Sequence, residues 1–314
     1  MKLWPFLMFL VITFGAANPG SQSPKSAEEY NNRGLEKQNQ GDLDGAIADY
    51  TKAISLKSRP DILATIYNNR ANAFMSKNNL DGAIADYTSA IQLQPAEFEN
   101  YYNRGVALQS KNNFDLAIAD FSKAIGLFPR FALAYNNRGN ARSAKGDIDG
   151  AINDYTTAIS INPKGADSYY NRGIALQAKG NVDGAIKDFS SALSLTPSFY
   201  LANINRAVAL FDKGDLDGAI ADYTRALELK TDDAAIYYGR GTAKQKKKDL
   251  EGALSDYTKA IEIDPKHALA YANRAVVKSL QRMAGADADF ETAFRLDPSL
   301  KATYREFSEK RRKP

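Results

Sequence analysis

Asparagine returns to one place along this chain, at Asn32, Asn69, Asn103, Asn137, Asn171, Asn205 and Asn273. A carboxamide carries one acceptor and two donors. A row of them can grip the main chain of an extended polypeptide whatever its side chains. They can equally bond the backbone of their own helices, and both readings stand at this point. Arginine occupies the next place throughout: Arg33, Arg70, Arg104, Arg138, Arg172, Arg206, Arg240 and Arg274. Only Arg240 lacks the amide before it, which Gly239 replaces. Aspartate then follows at Asp49, Asp86, Asp120, Asp154, Asp188, Asp222, Asp256 and Asp289. Free arginines in a row would bind phosphate. Arginines paired to those aspartates would instead tie two antiparallel helices together, since the two places lie side by side in a hairpin of four-turn helices. We read Arg104–Asp120, Arg138–Asp154 and Arg172–Asp188 as such structural pairs.

Little else could carry out a reaction. The chain has no cysteine and a single histidine, His267, which weighs against thiolate metal sites, disulfides and Cys–His or Ser–His nucleophiles. No Gly-rich phosphate loop, metal-ligand cluster or paired nucleophile and base is evident. His267 follows Pro265-Lys266 and reads as a solvated loop residue. The sequence therefore points to a protein that is not an enzyme, with no cofactor and no metal.

The elements that position these residues follow from a period. Gly34, Ala71, Gly105, Gly139, Gly173, Ala207, Gly241 and Ala275 are 37 and then six times 34 residues apart. Such a period means stacked copies that share a core, since no copy buries its own apolar face. The copies run 27–60, 64–97, 98–131, 132–165, 166–199, 200–233, 234–267 and 268–301, with Asp61-Ile62-Leu63 extra after the first. Within 98–131, apolar residues of Tyr101–Lys111 and Phe114–Phe128 fall three and four apart, predicting two amphipathic helices. Turns such as Gly146-Asp147 and Gly214-Asp215 supply a left-handed glycine and a capping aspartate.

Tyrosine stands fourth in seven copies, alanine twentieth in the first seven, an aromatic twenty-fourth, alanine twenty-seventh, and proline thirty-second at Pro95, Pro129, Pro163, Pro197 and Pro265. This interlocking pattern resembles the tetratricopeptide repeat (TPR). The resemblance implies an all-α, right-handed superhelical solenoid of eight helix–turn–helix repeats with a concave groove, and it places the sixth-place asparagines on that groove. Tyr102 and Tyr170 in the third and fifth repeats, and Asn72 and Asn140 in the second and fourth, are further expected peptide contacts, alternating over 68 residues. Val106/Ile174 and Asn68/Asn136 follow the same alternation. Towards the end the groove turns apolar at Leu201, Ile204, Val208, Phe211, Leu269, Val276 and Leu280. Lys246 is the one cation found there, which weighs against carboxylate-clamp recognition. The last repeat is short by one residue between Met283 and Gly285, and 299–314 reads as a capping helix, with Leu300, Tyr304 and Phe307 at helical spacing, and a basic tail.

Residues 1–17 combine Lys2, an uncharged apolar run from Leu3 to Phe14 and small residues at Gly15-Ala16-Ala17, the pattern of a cleaved export signal. The run is too short for a stable membrane span. Residues 18–26 are a polar linker. The expectation is a periplasmic or secreted protein, the alternative a tether through an uncleaved N-terminal segment. Of the net charge of +4, the last sixteen residues hold six cations against two anions, leaving the repeats near neutral. That disfavours nucleic acid as a partner. The expected function is a scaffold binding an extended peptide of a partner protein, the alternative a self-associating envelope protein.

Overall fold

The computed structural model describes residues 25–305 and 307. The proposed signal segment, most of the linker and the tail Lys310–Lys313 lie outside them. The described residues form an all-α solenoid of paired helices in two compact bodies that divide between Pro95 and Ala96. The first holds α1 (Ala27–Asn39), α2 (Leu43–Ser55), α3 (Pro60–Ser76) and α4 (Leu80–Leu93). The second holds α5 (Phe98–Ser110), α6 (Phe114–Leu127), α7 (Ala132–Ala144), α8 (Ile148–Ile161), α9 (Ala166–Ala178) and α10 (Val182–Leu195). It continues with α11 (Tyr200–Lys213), α12 (Leu216–Leu229), α13 (Ala234–Lys246), α14 (Leu250–Ile263), α15 (Ala268–Leu280), α16 (Ala286–Leu296) and α17 (Leu300–Thr303).

Each repeat is one antiparallel pair. The residue at its fifteenth place turns the chain in the left-handed conformation, at Gly41, Gly146, Gly180 and Gly214 but also at Asn78, Asn112, Lys248 and Arg282. The next residue starts the second helix; Asp147 and Asp215 accept from the backbone N–H of Gly150 and Gly218 at 2.9 and 3.0 Å. The three extra residues after the first repeat do not lengthen a loop. They extend α3 to seventeen residues, with Pro60 at its start where no N–H is needed, and Ile62 packs on the core of the first body.

The core is built of small residues and one large ring per repeat. The alanines at the twentieth and twenty-seventh places, Ala117 and Ala124 for example, are fully buried, so the helix backbones approach closely. The ring at the twenty-fourth place, such as Tyr50, Phe121 or Phe189, fills the space that remains. Within the second body the first helices of successive repeats also touch one another, α5 with α7, α7 with α9, and so on to α15. The second helices approach each other less. Crowding on one side only curves a stack, and the first helices therefore line its inner face.

The last repeat absorbs its missing residue at the turn. Gly285, also left-handed, immediately precedes α16, and Arg274 still meets Asp289 at a spacing of fifteen rather than sixteen. The described part of the expected capping helix is a single turn. Leu300 is buried there and Phe307 is exposed.

Candidate peptide-binding groove

The asparagine row is a ladder, but of a kind the sequence did not suggest. Asn137 Nδ2 donates to the Tyr102 hydroxyl at 3.0 Å and Asn205 Nδ2 to that of Tyr170 at 2.8 Å. Asn171 donates to Asn136 Oδ1 at 3.2 Å, Asn273 to Tyr238 at 3.2 Å and Asn69 to Asn31 at 2.9 Å. Each rung joins the sixth place of one repeat to the fifth place of the repeat before it. Neither local backbone bonding nor an unoccupied amide describes these five residues. Asn103 and Asn32 have no such partner and are half-buried. Tyr304 closes the far end, its hydroxyl donating to Asn273 Oδ1 at 2.7 Å.

The same rule accounts for Gly239. The fifth place of the preceding repeat is Ile204, which offers no acceptor, and the amide is absent where it would have had none. The space is taken: a Cβ on Gly239 would lie 2.7 Å from Tyr223 Cζ.

Asn72 and Asn140, expected in the groove, face inward. The Tyr87 hydroxyl donates to Asn72 Oδ1 at 2.5 Å and that of Tyr155 to Asn140 Oδ1 at 2.8 Å. Where the ring is Phe121 or Phe189, the matching residue is Val106 or Ile174, because no hydroxyl needs an acceptor. Part of the 68-residue alternation thus reports the core ring rather than a ligand. Tyr102 and Tyr170 are buried as well, packed on Phe131 and Phe199 with ring centroids 4.8 and 4.6 Å apart. Burial pushes the Tyr102 phenol up to about 12.

Every arginine of the second row is engaged on at least two sides, and most on three. Arg138 donates through Nε and Nη2 to Asp154 at 3.0 and 2.7 Å, and through Nη1 to the Ser122 hydroxyl of the preceding repeat at 3.0 Å. Its guanidinium lies 5.4 Å from the Tyr135 ring centroid. Arg104 binds Asp120 through two bonds of 2.8 Å. Arg172 binds Asp188 at 2.7 and 2.9 Å. The hydrogen bonds that Arg104 and Arg172 donate to Asp120 and Asp188 raise the pKa of both arginines above the ordinary value. Arginines so held are not available to phosphate.

At the C-terminal end Leu201, Ile204, Val208 and Phe211 are half-buried and Val276 is buried, while Leu269 and Leu280 are exposed. Lys246 Nζ sits 4.5 Å from the centroid of Phe211. His267 is not a solvated loop residue: its Nδ1 accepts from Ala270 N at 3.3 Å to cap α15, and its ring packs at a tilt on Tyr238, with centroids 4.8 Å apart. Among the described residues no group of acidic, histidine or cysteine side chains has the arrangement of a metal site, and no helix is long and apolar enough to cross a membrane.

Family models agree with the periodicity. A TPR repeat model matches residues 71–112, 139–180 and 207–248, and tetratricopeptide repeat models match 99–131, 166–199, 234–267 and 27–60. No curated protein matches the chain. Among solved structures, YrrB, described as a TPR protein with an unusual peptide-binding site, is 27% identical, with 59% of this chain and 95% of that one covered and a TM-score of 0.53. A tetratricopeptide repeat protein from Parabacteroides merdae is 21% identical, covering 82% of this chain and 98% of its own, with a TM-score of 0.60. The C-terminal part of a TPR repeat-containing protein from Cytophaga hutchinsonii is 21% identical, covering 76% and 97%, with a TM-score of 0.63. The chain belongs to the tetratricopeptide repeat family, whose fold serves as a scaffold for protein or peptide partners.

Proposed function

We propose that this protein is a non-catalytic scaffold that binds an extended segment of a partner protein along the inner face formed by α5 to α15. The observation that carries the reading is what the rungs leave over. Each rung uses one N–H of its asparagine and fixes the amide's orientation. The carbonyl oxygens of Asn171 and Asn205, and the whole amide of Asn103, have no hydrogen-bond partner among the described residues. Donors and acceptors already held in place cost less to order on binding. Asn137 is buried and contributes to the rung rather than the grip. YrrB, with its peptide-binding site, supports the same use of the fold. Export through residues 1–17 is part of this reading, and mass analysis of the mature N-terminus tests it.

The experiment is selection of random linear peptides on the full chain, followed by titration against Asn103→Ala/Asn171→Ala/Asn205→Ala. Binding at least tenfold weaker on the triple variant, with Tyr170→Phe as a control that removes a rung but keeps the amide, supports the grip. Equal affinity on the triple variant excludes it. Exposed Leu269 and Leu280 favour one other reading, self-association through this end; a monomer by light scattering excludes that.

A further inference from the structure

Four of the five tyrosines at the twenty-fourth place give their hydroxyl to their own repeat. Tyr50 donates to Gln38 at 2.9 Å, Tyr87 to Asn72 at 2.5 Å, Tyr155 to Asn140 at 2.8 Å and Tyr257 to Gln245 at 2.6 Å. Tyr223 is the fifth. Its repeat carries Val208 and Phe211 where the others carry acceptors. The side chain is only 6% exposed, yet its hydroxyl has no hydrogen-bond partner among the described residues. The oxygen is not sealed from solvent, and a phenol donor on a nearly buried ring that no neighbour uses asks for an explanation.

The ring's position supplies one. In repeats with glycine at the eighth place the ring lies over that glycine, as Tyr155 lies over Gly139. The sixth repeat has Ala207 there, and Tyr223 instead lies against Gly239 of the next repeat. Its hydroxyl oxygen is 2.9 Å from where a Gly239 side chain would begin. The phenol therefore arrives at the gap in the ladder. Ile204, Val208 and Phe211 pack around this core. Lys246, exposed and in no ion pair among the described residues, covers the Phe211 ring. Burial and the nearby Asp212 push the phenol up to about 12, so it stays a donor at neutral pH. Exposed Asp212 holds the same place one repeat earlier than Lys246 and repels a carboxylate from its own side.

We infer that Tyr223 is a specificity-determining contact of the groove. Its hydroxyl, brought to the groove over Gly239, donates to a main-chain carbonyl of the bound segment. An apolar side chain of that segment rests on Val208 and Phe211, and an adjoining Asp or Glu reaches Lys246. The inference rests on the groove reading above and names the chemistry of the occupant: an extended stretch in which an apolar residue adjoins an acidic one.

The test selects random linear peptides on the full chain and on its Lys246→Glu variant, then titrates selected peptides against Tyr223→Phe. The wild-type pool is expected to be rich in apolar–acidic pairs, and Lys246→Glu to exchange acidic for basic residues. Tyr223→Phe is expected to weaken binding roughly five- to tenfold, the worth of one hydrogen bond. Its melting temperature should stay unchanged, since no internal bond is lost. Tyr155→Phe should do the opposite, lowering the melting temperature and leaving affinity alone. Peptides that need Asn103, Asn171 and Asn205 but show no such pairs, and bind Tyr223→Phe as tightly, overturn this inference alone. A pool with no groove binders overturns it together with the groove reading.

Discussion

A side chain on Gly105 would begin 2.7 Å from Cε1 of Phe121. The ring is fully buried and has nowhere to retreat. Gly105→Ala should therefore cost about 1–3 kcal/mol, the range for overpacking a core. Gly126, in α6 with nothing within 4 Å of its would-be Cβ, is the contrasting case. Gly126→Ala should stabilise by about 0.5–1 kcal/mol through the unfolded chain. Urea midpoints of the two variants decide the matter; equal shifts of the same sign would contradict the close approach.

The arginine–aspartate pairs make a sharper claim. Asp120 is 6% exposed and bonded twice by Arg104. Removing its carboxylate strands a partly buried guanidinium, so Asp120→Ala should lose about 3–5 kcal/mol. Asp115 forms an exposed pair with Lys145, and Asp115→Ala should lose no more than about 1 kcal/mol. Thermal melts of both variants test the difference, and similar losses would mean the buried pair is not what joins the helices.

Hydroxyl and acceptor are matched repeat by repeat, which a double-mutant cycle can read. Tyr155→Phe leaves the Asn140 oxygen without its donor, and Asn140→Val leaves the Tyr155 hydroxyl without its acceptor. Each should cost about 1–3 kcal/mol. Together they reproduce the Phe121 and Val106 combination of the preceding repeat, so the double variant should recover most of the loss. Additive losses would show that the two residues are not coupled.

Stability should fall at both ends of the pH scale, for opposite reasons. Burial pushes the Asp49 carboxyl up, but hydrogen bonds and charges from Arg33 and Lys37 outweigh it, and the net pKa is lowered. Its contribution is present above the unfolded value of about 4 and is lost as pH falls through the folded one. Tyr102, raised by burial to about 12, contributes fully below the unfolded value of about 10 and loses that contribution as pH rises towards 12. Denaturation midpoints against pH should show a shallower acid limb in Asp49→Asn and a shallower alkaline limb in Tyr102→Phe.

Much of this was legible because repetition fixes geometry. An interval of sixteen between arginine and aspartate in the first seven repeats, in a hairpin, leaves the two side chains few other places to be. The helices, the turns and the family followed from the same regularity. What the interval does not reveal is which neighbour satisfies a polar atom. Asn72 and Asn140 occupy a groove-facing place in the pattern, yet a tyrosine hydroxyl from the partner helix claims them. The rungs were missed because each joins the fifth place of one repeat to the sixth of the next, and the fifth place varies among Asn, Tyr, Ile and Ala. The signal was present: Ile204 and Gly239 depart from the pattern together. The division at Pro95 leaves no mark on the spacing, which is 34 from Ala71 to Gly105 across it.

Tyr304 also bears on how long such an array can grow. The eighth repeat presents Ala272 where every earlier repeat but the sixth holds out a hydroxyl or an amide, and the oxygen of Asn273 already has its donor. A further copy joined after Leu296 would meet a seam with no rung left to complete. Lengthening the protein by design therefore means restoring an acceptor at position 272 and displacing Tyr304, in addition to supplying another hairpin.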